Sequence, residues 1–415
     1  MLAKNPHQIE INLKHFAALS ELTGDQIAVA ARADGEPEWL IAQRVQAWEF
    51  FAQTMPPEWR RTNLTRLQPE QITPLIGTQG TVLHTDTSRI PDAVVFKPLK
   101  DALQSHEELI RDRLARLIDP LNHKFSALRM ALWQDGAFVY VPRNVEVELP
   151  LHVSYMLPQG SRSIFPYSLV VLEQGAQVTF IEEFISHDAT ETVLAGPTTE
   201  IFAGPASQIR FISAQRWGAG VFHLGSQLLL LDRDAQSEWV SVALGGEVQH
   251  IEAETRLQGD GSRVNWLGAT FASGNQQLLT APWLRHMGVG NESHMDFRTV
   301  VTGKGYSVFD GMIKIEHESR GTSTRLEEHA VHLTPDARSD SIPGLKIDTN
   351  DVASAGHAST SGQVDDEQLF YMQTRGIKRD EAVRMIVMGM FEPTLTAIPV
   401  EEVRTTLTAA IEAKI

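Results

Sequence analysis

Six segments in the middle of the chain open alike, with a tight-turn residue followed at once by the start of a short β-prone run. They are Gly175-Ala176-Gln177-Val178, Pro205-Ala206-Ser207-Gln208-Ile209, Asp234-Ala235-Gln236-Ser237, Asp260-Gly261-Ser262-Arg263-Val264, Gly290-Asn291-Glu292-Ser293 and Gly321-Thr322-Ser323-Thr324, spaced about 30 residues apart. A single turn-plus-strand unit of this size cannot bury its own apolar face, so a chain of them is stable only when each is stacked on the next. The recurrence therefore predicts a solenoid of β-coils, a parallel β-helix. Within the coils Met295, Phe297, Thr299 and Val301 alternate with His294, Asp296, Arg298 and Val300, and Ile313 and Ile315 alternate with Lys314 and Glu316. A β-sandwich would alternate in the same way, so the period decides between the two.

The texture on either side is helical, which divides the chain into a mainly helical region 1–124, a β-helix core 125–362 and a C-terminal helical region 363–415. In the first region Ile41, Val45, Trp48, Ala52 and Met55 recur at helical spacing between Pro37, suited to a first turn, and Pro56-Pro57. A second helix is expected over 101–118, with Leu103, Ile110, Leu114 and Leu117 as its stripe and Pro120 as its stop. Three helices follow the β core. The first spans 365–374 with Gly376 as its C-terminal cap, the second spans 378–390 and stops before Pro393, and the third spans 399–413 with Pro399 in its first turn. The middle one is apolar almost all round through Ala382, Val383, Met385, Ile386, Val387, Met388 and Met390, so it is either deeply packed or made to be covered by a partner.

Several chemistries are disfavoured. A net charge of −16 with no clustering of Lys and Arg argues against a nucleic-acid surface. The Met1–Pro6 opening starts no apolar stretch and no window reaches membrane-span length, so a cytoplasmic location is expected. There is no cysteine, hence no thiolate ligand, persulfide or cysteine nucleophile in this chain. Thr302-Gly303-Lys304-Gly305 lacks the spacing of a phosphate-cradling loop, no Gly-x-Ser-x-Gly elbow is present, and His106-Glu107-Glu108 has no second histidine one turn on. We therefore expect no ATPase or hydrolase activity of the chain's own.

Among fifteen histidines the densest group is Glu327-Glu328-His329-Ala330-Val331-His332, but on a strand His329 and His332 point to opposite faces. His286, His294 and His317 read as ordinary surface or stacking residues. Glu182 and Glu183 face opposite ways as strand neighbours and read as solvated charge rather than a two-carboxylate site. His357 stands among small residues, Asn350 through Thr360, where another backbone or a metal cluster could approach closely. On chemistry alone a structural histidine is favoured there.

Longer stretches carry a resemblance. Ala337 through Ile347 is similar to the run that leads into an Asp-Val-x-x-x-His segment in the SufB/SufD family of iron–sulfur cluster assembly scaffolds, and Asp351-Val352 through Thr360 resembles that segment itself. Asp365 through Tyr371 followed by Arg375-Gly376-Ile377 is close to the family signature, and 131–142, 146–151 and 36–40 resemble family sequence upstream. The resemblance implies a right-handed parallel β-helix whose end pairs with a SufB-type paralogue, and C-terminal helices that dock a SufC-type ABC ATPase. It implies a homodimer when the chain is alone, a transient iron–sulfur cluster shared with SufB, and leaves room for a reduced flavin. Chain length, the helical N-terminal region and the missing cysteine favour the SufD side of the family. His357 matches the family histidine at the paired end and becomes the candidate cluster or iron ligand. Gln368, Tyr371, Arg375, Gly376, Ile377, Met385 and Met388 become the candidate ATPase-docking residues, the other reading being that they only seal the end of the β-helix. The sequence departs from the family pattern in having His357-Ala358-Ser359-Thr360 for His-Gly-Ala-Thr, one extra residue ahead of it, and Ala355-Gly356 where some relatives carry a cysteine. The rival reading is a carbohydrate-active β-helix enzyme of the polysaccharide lyase type, with Asp296, Arg298 and Lys314 in its groove.

Overall fold

Each coil opens on one residue held at positive φ. Asn144, Gly175, Ala206, Asp234, Gly261, Gly290 and Gly321 have φ between 56° and 69° and share one register, two residues ahead of the paired positions Glu146, Gln177, Gln208, Gln236, Arg263, Glu292 and Ser323. Glycine fills four of these seats at no steric cost, and Asn144 and Asp234 are the side chains that best tolerate the left-handed region. The strands that follow all join one sheet. In the computed structural model, which describes residues 14–15, 18–69, 72–73, 75–76, 81–134, 136–158, 160–187 and 191–415, the chain is a parallel β-solenoid of about 8 turns with helices at both ends. The Met1–Pro6 opening and Asp135 lie outside the described residues.

Successive strands alternate between two sheets. The nine-stranded sheet runs in space from Val352–Gln363 through Thr322–His332, Glu292–Val301, Arg263–Ala272, Gln236–Ala243, Gln208–Arg216 and Gln177–Ile185 to Leu151–Met156, all parallel, and ends on the antiparallel Thr81–Leu83. The thirteen-stranded sheet opposite it runs from Arg338–Ser341 and Gly344–Ile347 back to Ala137–Val141 and the antiparallel Val95–Pro98. The bore between them is filled by ladders of equivalent residues. One ladder is Leu151, Phe180, Phe211, Trp239, Trp266, Met295 and Leu326. Its rings stack at 5.9 Å for Phe180 on Phe211 and 3.9 Å for Trp239 on Trp266, with a tilted contact of 5.1 Å between Phe211 and Trp239. Offset aromatic contact of this kind adds to the burial term that holds coil on coil.

Both outer faces are dressed by helices. The N-terminal helices α1 (Gly24–Ala33), α2 (Glu38–Gln53), α3 (Leu99–Leu103), α4 (Glu107–Arg113) and α5 (Lys124–Leu132) form a core that includes Phe138, Leu169, Val171, Phe222 and Leu224 of the thirteen-stranded sheet. The C-terminal helices are α6 (Asp366–Thr374), α7 (Arg379–Thr396) and α8 (Glu401–Glu412). Val387, Phe391, Leu395, Val403, Leu407 and Ile411 of α7 and α8 close over Ile181, Ile212, Val240, Phe271 and Val300 of the nine-stranded sheet.

Several local expectations change. The buried stripe of α2 is Leu40, Ile41, Arg44, Ala47, Trp48 and Phe51, while Ala52 is exposed and Met55 lies beyond the helix in solvent. The buried Arg44 turns that stripe, because its guanidinium pairs with Glu36 at 2.6 and 2.7 Å and caps the Trp133 carbonyl at 2.8 Å. Pro37 is the N-cap rather than a first-turn residue. The single helix expected over 101–118 is two helices, α3 and α4, broken at His106. The chain beyond α4 turns at Ala115 (φ 56°), where buried Glu200 takes the backbone N–H groups of Ala115, Leu117 and Ile118 at 2.7, 2.7 and 2.8 Å. All four residues of the expected stripe are nevertheless buried. Phe125 belongs to α5, not to a strand; every residue of α5 is buried, so no polar face marks its period. Helix α7 runs through Pro393 to Thr396, because Thr394 and Leu395 are buried against the sheet while Pro393 itself faces out. Pro399 lies ahead of α8, whose N-cap is Val400. Glu182 and Glu183 do face opposite ways, but neither is solvated. Glu182 is sealed in the bore among Ser168, Thr199, Ser213 and Gln227 at 2.8–3.2 Å, and Glu183 pairs with His152 at 2.9 Å and Arg216 at 3.1 Å.

Candidate functional site

The last coil leaves its strand edge open. Val352–Gln363 is a twelve-residue edge strand, mostly exposed, made of small and neutral residues with no proline and no charge. Exposed edges normally carry such guards, and an edge without them is suited to being covered. At its start the register shifts: Val352 lies opposite Thr322 but Ser354 lies opposite Ser323, so Ala353 is bulged out. Because side chains alternate with period two, one extra residue moves everything after it to the other face. The bulge thereby sets Ala355, His357 and Ser359 over the inward Thr324, Leu326 and Glu328.

His357 is thus the end of the apolar ladder, standing on Leu326 with Met295 and the two tryptophans beneath. It is exposed, because no further coil covers the end of the ladder. One step along, Ser359 donates to the buried Glu328 carboxylate at 3.0 Å and meets Ser341 of the facing sheet at 2.7 Å. Burial pushes the Glu328 carboxyl above the usual carboxylate range. Ser361, Ser339 and His332 continue this seam, with His332 Nε2 at 2.8 Å from Ser339 and 3.3 Å from Ser361. His329 lies on the opposite face of its strand and bonds Thr360 at 2.8 Å, and Glu327 is engaged by Arg325 and His294. Among the described residues no three His, Asp or Glu side chains converge to hold a metal ion. His317 bonds the Asp348 carbonyl at 3.1 Å, whereas His286, read as a surface or stacking residue, is fully buried against Ser293 rather than at the surface, and burial pushes its imidazole down to about 3.

The second group sits on α6 and α7. Asp365 caps α6 through the Glu367 N–H at 2.8 Å, and Gly376, at φ 87°, ends the unit. Leu369 is buried, which turns Gln368, Phe370 and Tyr371 outward. Phe370 and Tyr371 are 68% and 59% exposed, and Arg375 lies over the Tyr371 ring at 5.2 Å with a guanidinium hydrogen bond of 3.2 Å to its hydroxyl. Ile377 is half-buried beside them. On α7 the two methionines separate: Met385 is 47% exposed, while Met388 packs onto the core that joins the helix to the sheet. Phe370 is the residue that sequence reading passed over; a large apolar side chain next to the one buried residue of a polar helix is the signal that identifies it.

The residues of the rival reading are not brought together. Asp296 and Arg298 form a two-pronged pair at 2.7 and 2.8 Å on the outer face of the nine-stranded sheet, and Lys314 pairs with Glu316 at 2.9 Å on the thirteen-stranded one.

Comparison with known proteins supplies a family for this arrangement. Residues 155–390, more than half of the chain, match the family described as SUF system FeS cluster assembly, SufBD core domain, and residues 78–153 match the SufBD protein N-terminal region. Among curated relatives, an iron-sulfur cluster assembly SufBD family protein of Staphylococcus epidermidis is 25% identical over 93% of this chain and 91% of its own length. A counterpart from Staphylococcus haemolyticus is 26% identical with the same coverage, and one from Staphylococcus aureus 25%.

Proposed function

Because this chain belongs to the SufBD family of SUF-system iron–sulfur cluster assembly proteins, we propose that it is a SufD-type scaffold subunit. In this reading it pairs with a SufB-type paralogue through the open end of the solenoid and docks a SufC-type ABC ATPase through α6 and α7. The observation that carries the reading is the unguarded twelve-residue edge whose bulge turns His357 onto the end face. A partner's edge strand laid against it would satisfy the open backbone groups and bury His357 at the same time.

The division of labour follows from what the chain lacks. With no cysteine it offers no thiolate to a nascent cluster, so the thiolates come from the paired subunit and this chain adds the imidazole of His357. The cluster is cargo held between two proteins. With no phosphate-cradling loop, nucleotide-driven motion comes from the ATPase. Phe370, Tyr371 and Met385 give the helices an apolar patch and Gln368 and Arg375 its polar border, a composition suited to a protein interface. Gly376 and Ile377 shape the turn between α6 and α7, and Met388 packs onto the core that holds α7 to the sheet.

Co-purification of the chain with SufB-type and SufC-type partners, native and His357→Ala, tests this. The variant complex should assemble normally and hold markedly less iron and acid-labile sulfide. Equal cluster content would remove the ligand role, and failure of the native chain to co-purify with either partner would remove the scaffold role.

A further inference from the structure

Away from the open end, the outer face of the thirteen-stranded sheet is covered by the N-terminal region only in part, and beside that cover lies a cleft of about 490 Å³. Its floor follows one register across successive coils: Ser226, Glu252 and Ala281 are paired positions, and Asp310 follows Phe309, the partner of Thr280. Ala281 lines the cleft with no more than a methyl group. Trp59 and Trp283 are among the walls, Trp283 with 41% of its surface exposed.

The walls are fixed before anything enters. Trp59 stacks on His250 at 3.7 Å, and Thr62 holds the same imidazole at 2.6 Å. The loop carrying Leu117 and Ile118 is tied to the sheet by its backbone N–H groups on Glu200. His123 Nδ1 accepts the backbone N–H groups of Phe125 and Ser126, both at 3.1 Å, which leaves the ring proton on Nε2. That proton is donated to Glu252 Oε2 at 3.0 Å, and Ser226 Oγ lies 3.2 Å from the same oxygen. Among the described residues no hydrogen bond reaches Glu252 Oε1 or the Asp310 carboxylate. Against the cost of its burial, His123 and Arg129 hold the Glu252 carboxyl down to about 2. Four carboxylates, those of Asp119, Glu252, Glu254 and Asp310, line the cleft against the one guanidinium of Arg256, itself engaged by Glu254 at 2.9 Å.

We propose that this cleft binds a small organic cation bearing a flat ring, its ammonium or guanidinium group on Glu252 Oε1 and Asp310 and its ring against Trp59 and Trp283. A concave site with aromatic walls and a positioned carboxylate has the general form of a ligand pocket. Aromatic faces and carboxylates attract the same sign of charge, whereas phosphate- or carboxylate-bearing molecules meet repulsion. The site is independent of the paired end and of its partners, so it stands or falls separately from the scaffold assignment.

Three probes of one shape isolate the charge: tryptamine, indole and indole-3-acetate, titrated into the full chain alone by calorimetry. Tryptamine should bind at least about tenfold more tightly than indole, a difference of about 1.4 kcal/mol, and indole-3-acetate should not saturate. Asp310→Asn, at an exposed position, and Glu252→Gln should each weaken tryptamine by roughly tenfold, and Ala281→Trp should abolish binding while the fold, followed by circular dichroism, is kept. Binding of indole-3-acetate as tight as that of tryptamine, no saturation by tryptamine at about 10 mM (a binding energy weaker than ~3 kcal/mol), or undiminished binding to the Ala281→Trp variant would each overturn the proposal. Should Glu252→Gln fail to fold, the Asp310 and Ala281 variants decide.

Discussion

The two ends of the solenoid solve one problem in opposite ways. At the N-terminal end the short strands Thr81–Leu83 and Val95–Pro98 reverse direction against the first coil, and α2, α3 and α5 pack beside it. Short antiparallel strands offer another chain little edge to extend. At the C-terminal end a strand three times as long as Val95–Pro98 stands open. The same contrast recurs inside the bore. Glu182 and Glu328 belong to one ladder, through Ser213, Ser241, Gly268 and Phe297. Glu182 is enclosed by hydroxyl and amide donors from coils on both sides, whereas Glu328 meets Thr299 on one side and, on the other, Ser341 and the exposed Ser359 of the last strand. A difference of this kind between two ends teaches that one is finished within the chain and the other is left open, which is what the proposed pairing requires.

The largest effect that can test this contrast lies at the closed side. Phe138→Ala beside the N-terminal helices, or Trp239→Ala in the ring ladder, should each cost ~3–5 kcal/mol in denaturant unfolding of the isolated chain, since both side chains are fully buried with no route to collapse. A loss under ~1 kcal/mol for either would show that the closed side is not the rigid one. Glu182 comes next. Burial lifts its carboxyl to about 7 against an ordinary value of 4.5, so in the folded protein it keeps a proton that the unfolded chain releases. The neutral form's contribution is therefore whole below about 4.5, declines as pH rises through the interval up to about 7, and is constant above it. Glu182→Gln should flatten the pH dependence of unfolding between those limits and be the more stable protein at pH 8, by up to ~3 kcal/mol. An unchanged pH profile would show that Glu182 is ionised throughout. The smallest effect is expected at the open end, where Ile347→Ser, at a side chain 42% exposed, should change the isolated chain by less than ~0.5 kcal/mol yet weaken its complex with a SufB-type partner in pull-down titrations. If both quantities fell together, the end would be a core rather than an interface.

How much of this was legible beforehand depended on whether the signal was local. The coils were, because the turn residue of each must tolerate positive φ and so is drawn from glycine, asparagine and aspartate, Ala206 being the exception. Inward and outward positions at 294–301 followed from period two, with two outward residues whose burial alternation alone would misplace: Val300 is fully buried because α7 lies on it, and Asp296 is buried in its pair with Arg298. The missed features were tertiary. Helix α5 has no polar face to betray it, the break between α3 and α4 and the turn after α4 answer to surroundings that include a carboxylate at position 200, and α7 passes Pro393 because the sheet holds its last turn. At the open end His357 was found by resemblance, while its direction depended on a bulge that sequence showed only as one residue too many. The cleft escaped altogether, since His123, Ala281 and Asp310 acquire meaning only once coils are stacked.

The C-terminal helices have a further consequence for how such a protein can vary. They clasp the successive coils that carry Ile181, Ile212, Val240, Ala269 and Val300, and Lys414 at the far end is fastened to the Leu244 carbonyl and to Gln276. Each coil advances the rod by one strand spacing, ~4.8 Å, so the rod is graduated and the clasp works as a caliper set to a fixed number of divisions. Adding or losing a division inside the jaws would put every apolar seat out of step, whereas one added outside them would only move the two ends apart. Length in this molecule is therefore adjustable in whole increments, and only where the caliper does not reach.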